Sequence, residues 1–141
     1  MVDADESNPF TVVGTPIETL AALEAHHGVS MPADFREYLE LGAPEHNNSV
    51  DWPTEWWTIK RIKTIAEECD HPVKLAKVAA KADQYLVFAD YAIWSMAWAI
   101  SCAGDETHGR VMVINGARDR FVADSFAEFV DLHAEDAQAL L

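Results

Sequence analysis

The longest apolar stretch of the chain runs from Tyr85 to Ile100 and contains a single charge, Asp90. From Ala92 onward large and small side chains alternate, and this period of two predicts a strand with one heavily packed face and one thin face. The large residues are Trp94, Met96, Trp98 and Ile100, and the small ones are Ser95, Ala97 and Ala99. A helix is the alternative, because Trp94 and Trp98 are also four residues apart. The stretch is too short, and too interrupted by Asp90, for a transmembrane helix of about 18 to 20 apolar residues.

Two helices are predicted in the first third of the chain. Thr15 and Glu18 have the spacing of a capping box around Pro16, and the helix that they begin extends to about His26 and ends at Gly28. Its expected apolar face consists of Ile17, Leu20, Ala21 and Leu23. The second helix begins at Ser30-Met31-Pro32, ends at Gly42, and turns Phe35, Tyr38 and Leu39 toward the core.

The rest of the chain predicts mainly strands and a last helix. A capping box at Ser125 and Glu128 begins that helix, and Asn115-Gly116 marks a hairpin turn. The other expected elements are a strand at 56–59, helices at 63–70 and 73–82, and strands at 85–89, 93–102, 110–114 and 120–123. The turn between the two central strands is expected near Asp90, with Trp94 and Trp98 in the core. This order predicts an α+β fold, a mostly antiparallel sheet with flanking helices, in one domain over residues 15–141. Residues 1–14 are expected to form a flexible acidic N-terminus.

The net charge of −14 changes the range of possible partners. It argues against nucleic acid and anionic membranes, because both are bound by clustered Lys and Arg. Six of the ten basic residues lie between residues 60 and 81, so the flanking segments are strongly acidic. Two readings stay open: attraction of a basic protein partner, and a generally acidic composition with no partner behind it. The acidic start of the chain has no signal-peptide pattern, so a cytoplasmic location is expected.

The sequence gives only weak indications of a catalytic site. No nucleophile elbow, phosphate-binding glycine loop or His-Glu-x-x-His motif is present, and Cys69 and Cys102 are expected to be free thiols. His26 and His27 are adjacent on a helix and are expected to point too far apart to share a metal ion. Cys102 with His108 is the one conceivable nucleophile and base. We therefore predict no catalytic residue, no metal and no cofactor.

The candidate binding segment spans residues 51–57, where acids and indoles mix at a loop-to-strand junction. Trp is enriched at binding hot spots, and nearby acids steer a basic partner. We predict Asp51, Trp52, Glu55 and Trp56 as partner-binding residues. Trp57 is expected to pack into the core.

Four segments in fixed order resemble the SUKH superfamily, which includes fungal cell-wall-synthesis regulators and many bacterial immunity proteins. They are Ile17 with Leu23-Glu24; Gly28-Val29-Ser30-Met31-Pro32-Ala33-Asp34-Phe35-Arg36-Glu37-Tyr38-Leu39; Val87-Phe88-Ala89-Asp90-Tyr91 with Trp98-Ala99-Ile100; and Val122-Ala123-Asp124-Ser125-Phe126-Ala127-Glu128-Phe129-Val130. The resemblance spans about residues 15 to 133. The chain departs from the family pattern at Met31-Pro32, where Leu-Pro is usual, and at Leu41-Gly42, where Asn-Gly is common.

The resemblance implies a sheet flanked by helices and a non-catalytic, protein-binding role. Bacterial members of the superfamily bind diverse toxins, often nucleases, and neutralise them inside the producing cell. The resemblance therefore implies an immunity protein with a basic toxin as its partner. The alternatives are a general regulatory or scaffolding module and, on the residues alone, an enzyme. The superfamily shares no active-site motif, so no binding residue can be transferred to this chain.

Overall fold

The computed structural model describes residues 12–44, 53–69, 73–116 and 118–141. The elements in chain order are β1 (Val12–Val13), α1 (Ile17–His27), α2 (Ala33–Gly42), β2 (Ala43–Pro44), β3 (Thr54–Trp56), β4 (Lys63–Thr64), α3 (Ile65–Glu68), α4 (Ala76–Ala79), β5 (Tyr85–Tyr91), β6 (Met96–Ser101), β7 (Val111–Ile114), β8 (Arg120–Ala123) and α5 (Phe126–Asp136). Short 3₁₀ turns follow at Ala82–Gln84 and Ala137–Leu140.

An antiparallel sheet forms the centre of the molecule. Within the described residues it has six strands in the order β3-β5-β6-β7-β8, with β4 also paired to β5. A separate antiparallel ribbon joins β1 to β2. Every pairing is antiparallel, so the predicted α+β architecture is confirmed. The strand interpretation of the central apolar stretch is also confirmed over the helical alternative.

The two faces of the sheet differ as the side-chain alternation predicts. Trp98 is fully buried, and its ring packs edge-to-face against Phe129 of α5 with centroids 5.2 Å apart. Its indole Nε1 donates a hydrogen bond to the carbonyl oxygen of Leu140 at 3.0 Å. Ala97 and Ala99 turn to the opposite face and are fully buried there. Strand β6 therefore presents a thick, aromatic face toward α5 and small side chains to the other face of the sheet.

An aromatic layer packs this thick face against α2 and α5. Phe88 lies at a register shift in β5 and contacts rings from both helices. The layer consists of Phe35, Tyr38, Trp56, Phe88, Phe126 and Phe129. Burial of such side chains is the dominant favourable contribution to folding, so this layer anchors both helices to the sheet.

Several local predictions are corrected by the structure. Pro16 is the N-cap of α1 and no side chain caps that helix, so the Thr15 capping box is wrong. Ile17, predicted to face the core, is 61% exposed. A complete capping box instead opens α3, where Thr64 and Glu67 exchange the two bonds. The sequence predicts one longer helix over residues 63–70, whereas the structure has the short strand β4 followed by α3.

The terminator of the first helix is confirmed, and the predicted capping box of the last helix is half formed. The Ser125 side chain accepts a hydrogen bond from the backbone amide of Glu128, but Glu128 Oε1 accepts from the amide of Asp124 and not from that of Ser125. Gly28 follows α1 with φ 68°, the left-handed conformation that glycine adopts without steric penalty. Trp57 is fully buried, as predicted, and Cys102 is a buried thiol outside any disulfide.

The largest difference lies between β5 and β6. The turn comprises residues 92–95 and not the region of Asp90, which sits inside β5 and is only 3% exposed. Trp94, predicted to be a core residue of a strand, lies in this turn and is half-buried. An acid buried in an apolar strand and a tryptophan in a turn both need a physical account.

Candidate functional site

The turn that joins β5 to β6 has a strained backbone. Ala92, Ile93 and Trp94 all have positive φ values, of 52°, 55° and 60°. The left-handed region costs roughly 1–2 kcal/mol for each L-residue, and a β-branched residue such as isoleucine is a true outlier there. Ile93 lies at the tip with 83% of its surface exposed. The turn thus presents an apolar side chain to solvent on a conformation that the chain does not adopt by preference.

The carboxylate of Asp90 stabilises this turn through hydrogen bonds. Its Oδ1 accepts a hydrogen bond from the backbone amide of Trp94 at 3.2 Å, and its Oδ2 accepts one from the indole Nε1 of Trp57 at 2.7 Å. A further bond runs from the Ala92 amide to the carbonyl oxygen of Pro53 at 2.9 Å, which ties the turn to the chain entering β3. Strained residues persist only where the surrounding contacts over-determine them. The buried carboxylate is therefore the anchor of the turn.

Arg61 balances the charge at this anchor. Glu55 of β3 lies directly opposite Asp90 of β5 in the strand register, a juxtaposition of like charges that is unfavourable. One guanidinium nitrogen, NH1, lies 3.3 Å from Glu55 Oε2 and 3.6 Å from Asp90 Oδ2. The same guanidinium stacks on the ring of Trp57 at 4.1 Å from its centroid. Arg61 therefore offsets the repulsion between Glu55 and Asp90 and packs over the ring of Trp57 beneath the turn.

Two grooves flank the turn, and Trp94 lines both. The larger has a volume of about 910 Å³ and is lined by Glu68, Cys69, Val73, Lys74, Trp94, Ser95, Ile114, Asn115, Gly116 and Asp119. The smaller has about 160 Å³ and is lined by Pro53, Glu55, Arg61, Asp90, Ile93 and Trp94. The indole of Trp94 donates a hydrogen bond to Glu68 Oε2 at 3.0 Å, which fixes the ring between them.

The far wall of the larger groove is fixed by Asp119. This side chain is 5% exposed, and its carboxylate accepts bonds from the amides of Asn115 at 2.9 Å and of Lys74 at 2.5 Å. Asp119 thereby joins the β7–β8 turn to the segment before α4.

The predicted binding residues divide between three places. Asp51 and Trp52 lie outside the described residues. Glu55 lies at the smaller groove, beside the strained turn. The ring of Trp56 lies on the other face of β3, against Phe88 and Phe129, where it packs in the aromatic layer. The structure thus brings the predicted segment next to the turn, but it separates Glu55 from Trp56. The partner-binding role of these residues stays a prediction.

The residues that sequence reasoning missed are Ile93, Trp94 and Arg61. One available signal was Asp90 itself, since a lone acid in a long apolar run calls for buried donors nearby. Nothing in the local sequence indicates a left-handed turn, because none of the residues 92–95 is Gly, Asn or Asp.

The conceivable catalytic pair is not assembled. Burial raises the pKa of the Cys102 thiol to about 12, so the thiolate that a nucleophile needs is disfavoured. The His108 ring nitrogen Nε2 lies 3.0 Å from the carbonyl oxygen of Ser30.

The adjacent histidines contradict the expectation that they point too far apart to share an ion. Their rings cross nearly edge-to-face with centroids 4.7 Å apart. Ligand atoms of His26, His27 and Glu67 all lie within 4.8 Å of one another.

Acidic side chains dominate the exposed surface around the last helix. No Lys or Arg follows Arg120, whereas five carboxylates do, and all five are exposed. Four of them recur at helical spacing, namely Asp124, Glu128, Asp131 and Glu135. The last three lie on α5 and form a stripe along it, and Asp124 directly precedes its N-cap residue.

Two lysines of the basic segment are matched by acids. Lys77 bonds to Glu106, and Lys81 Nζ lies 2.9 Å from Asp105 Oδ2. Hydrogen bonds from Thr107 and Lys81 hold the pKa of Asp105 well below its usual range. The bond from Lys77 likewise lowers the pKa of Glu106. These pairings reduce the positive surface that the sequence alone indicates.

In the described part of the chain no helix is both long enough and apolar enough to cross a membrane.

A family model described as SMI1 / KNR4 family (SUKH-1) matches residues 14–132, which confirms the resemblance found in the four sequence segments. Comparison with curated protein sequences gives no match.

Proposed function

The chain belongs to the SMI1 / KNR4 family (SUKH-1), and we propose that it is a non-catalytic immunity protein that binds and neutralises a basic toxin of the nuclease type. The resemblance to bacterial immunity proteins supports the class of function, and the acidity of the chain supports the class of partner. The binding site that we propose is the strained turn at residues 92–95 with its two flanking grooves.

The single observation that carries this site is the exposure of Ile93 on a strained backbone. An isoleucine that is 83% exposed contributes little to the core, and its left-handed conformation is unfavourable for folding. Backbone strain of this kind clusters at sites of function. A protein partner that buried Ile93 would recover the apolar contact that folding leaves unmade.

The surroundings of Ile93 have the anatomy of an interface centre. Trp94 offers a large ring held in place by Glu68, and concave surface lies on both sides of it. Hot spots are enriched in tryptophan and sit in preformed, water-excluding surroundings. Four acids and two bases line the two grooves, so the local charge has the same sign as the whole chain.

The net charge of −14 gives the proposed partner its chemistry. A long-range negative field speeds encounter with a cationic protein and does so less as salt rises. A nuclease needs a positive surface to hold its phosphodiester substrate. An acidic protein that covers such a surface blocks the substrate without any catalytic chemistry of its own.

Co-expression with the toxin encoded beside this gene tests the proposal. We expect growth to be rescued, and we expect the purified chain to bind that toxin with an association rate that falls steeply between low and high salt. No rescue and no binding at micromolar concentration would sink the immunity role. Capture of several housekeeping proteins, with no toxin gene nearby, would instead support the regulatory-module alternative.

A further inference from the structure

A second constellation lies away from the turn, where the end of α1 meets α3. His26 and His27 are the last two residues of α1, and Glu67 belongs to α3. The atoms that each could offer to a cation lie within 4.8 Å of one another. Glu67 is about 40 positions from the two histidines in sequence, so only the fold brings it close to them.

The separation between His27 and Glu67 suits a shared metal ion. His27 Nδ1 and Glu67 Oε1 are 3.3 Å apart. Two ligands bonded at about 2.0–2.2 Å to a tetrahedral ion lie roughly 3.4 Å apart, so these two atoms already have the spacing of neighbouring ligands. His26 is exposed, and its ring nitrogen lies within 4.8 Å of the ligand atoms of the other two residues.

The carboxylate of Glu67 is positioned by its own capping box. The Thr64 amide and hydroxyl donate to Glu67 Oε1 at 3.0 and 3.1 Å. Outer-shell bonds of this type orient a ligand before the metal binds.

We propose that His26, His27 and Glu67 bind one divalent transition-metal ion, with Zn²⁺ the expected type, and leave its fourth position to water. Two imidazoles and one carboxylate suit zinc and its neighbours, whereas calcium and magnesium prefer oxygen ligands throughout. The negative charge of the chain raises the local concentration of cations. The ion would join the end of α1 to α3 and stabilise their contact.

Calorimetric titration of the full chain with ZnCl₂ in chelator-free buffer tests this site. We expect one ion per chain. His26→Ala and Glu67→Gln should each weaken binding at least about tenfold. Gln also serves at the third position of a capping box, so Glu67→Gln keeps α3 intact while it removes the charged ligand. Glu18→Gln is the matched control, because it removes an exposed carboxylate at the other end of α1, and it should bind Zn²⁺ like the wild type. Circular dichroism verifies that each variant is folded.

A second readout distinguishes metal bound at this cluster from metal bound by cysteine thiolates. The Co²⁺ complex should show the visible absorption of a tetrahedral site without a thiolate-to-cobalt charge-transfer band. Saturating Zn²⁺ should raise the thermal midpoint of the wild type but not of Glu67→Gln. Zinc binding that survives both His26→Ala and Glu67→Gln, a thiolate band, or no binding at all would overturn the proposal.

Discussion

Replacing Asp90 with alanine should destabilise the protein strongly, because this carboxylate is the acceptor for two donors and faces one cation. The indole Nε1 of Trp57 lies 2.7 Å from it, the Trp94 amide 3.2 Å, and the Arg61 guanidinium 3.6 Å. A buried donor left without a partner costs about 1–3 kcal/mol, and a hydrogen bond to a charged group is worth about 1.5–3 kcal/mol.

The expected total for Asp90→Ala is about 3–5 kcal/mol of unfolding free energy, which comes from the unpaired indole donor and the lost hydrogen bonds to a charged group. The Arg61 side chain is 34% exposed, so solvent screens the ion pair and it adds little. The Trp94 amide is only partly buried, so water recovers some of its bond and the simple sum is an upper bound. Asp90→Asn is the matched control. It keeps one acceptor oxygen for the indole but loses the charge beside Arg61, so about 1–2 kcal/mol is expected.

Urea unfolding followed by tryptophan fluorescence and circular dichroism measures these differences. A double-mutant cycle with Trp57→Phe isolates the bond between the indole and the carboxylate, and a coupling energy of at least about 1 kcal/mol is expected. A loss under about 1 kcal/mol for Asp90→Ala, or no coupling in the cycle, would refute the view that Asp90 anchors the turn.

Three further outcomes follow from burial and backbone geometry. Trp98→Ala should cost about 3–5 kcal/mol, because the ring is fully buried; a loss under about 1 kcal/mol in urea unfolding would contradict its core placement. Gly28→Ala should cost about 1 kcal/mol, since φ is 68° and no atom lies within 4 Å of an added Cβ. Gly104→Ala has equal space and no positive φ, so it should be neutral or slightly stabilising, and equal losses for the two would disprove the conformational argument. Cys102 should resist alkylation at about pH 8 until the chain unfolds, as mass spectrometry would show, because burial raises its pKa to about 12; rapid native labelling would contradict this.

Much of the fold could be predicted from local pattern. The alternation of large and small residues identifies Trp98 and the strand that carries it, and the Asn115-Gly116 pair identifies the β7–β8 hairpin. Gly28 and Ser125 mark helix ends by local chemistry. In these cases the residues within a few positions determine the outcome, so periodicity and cap chemistry suffice.

The candidate site is different because its determinants are distant in sequence. The left-handed turn depends on Asp90, whose role depends on Trp57 and Arg61 from another part of the chain. Without those partners an acid between apolar residues resembles a turn, so the sequence predicts the turn near Asp90, whereas the structure has it at residues 92–95. The cluster of His26, His27 and Glu67 likewise exists only after α1 and α3 meet.

The affinity of an Ile93→Asn variant for the toxin encoded beside this gene tests the binding site most directly. Asparagine tolerates the left-handed region better than isoleucine, so the free energy of unfolding should stay the same or rise by up to about 1 kcal/mol. Binding should weaken at least about tenfold, which is roughly 1.4 kcal/mol. Leu41→Gln on α2, which removes another isolated apolar side chain that is 74% exposed, should leave affinity unchanged. An Ile93→Asn variant that binds the toxin as tightly as the wild type would contradict the assignment of this turn as the binding site.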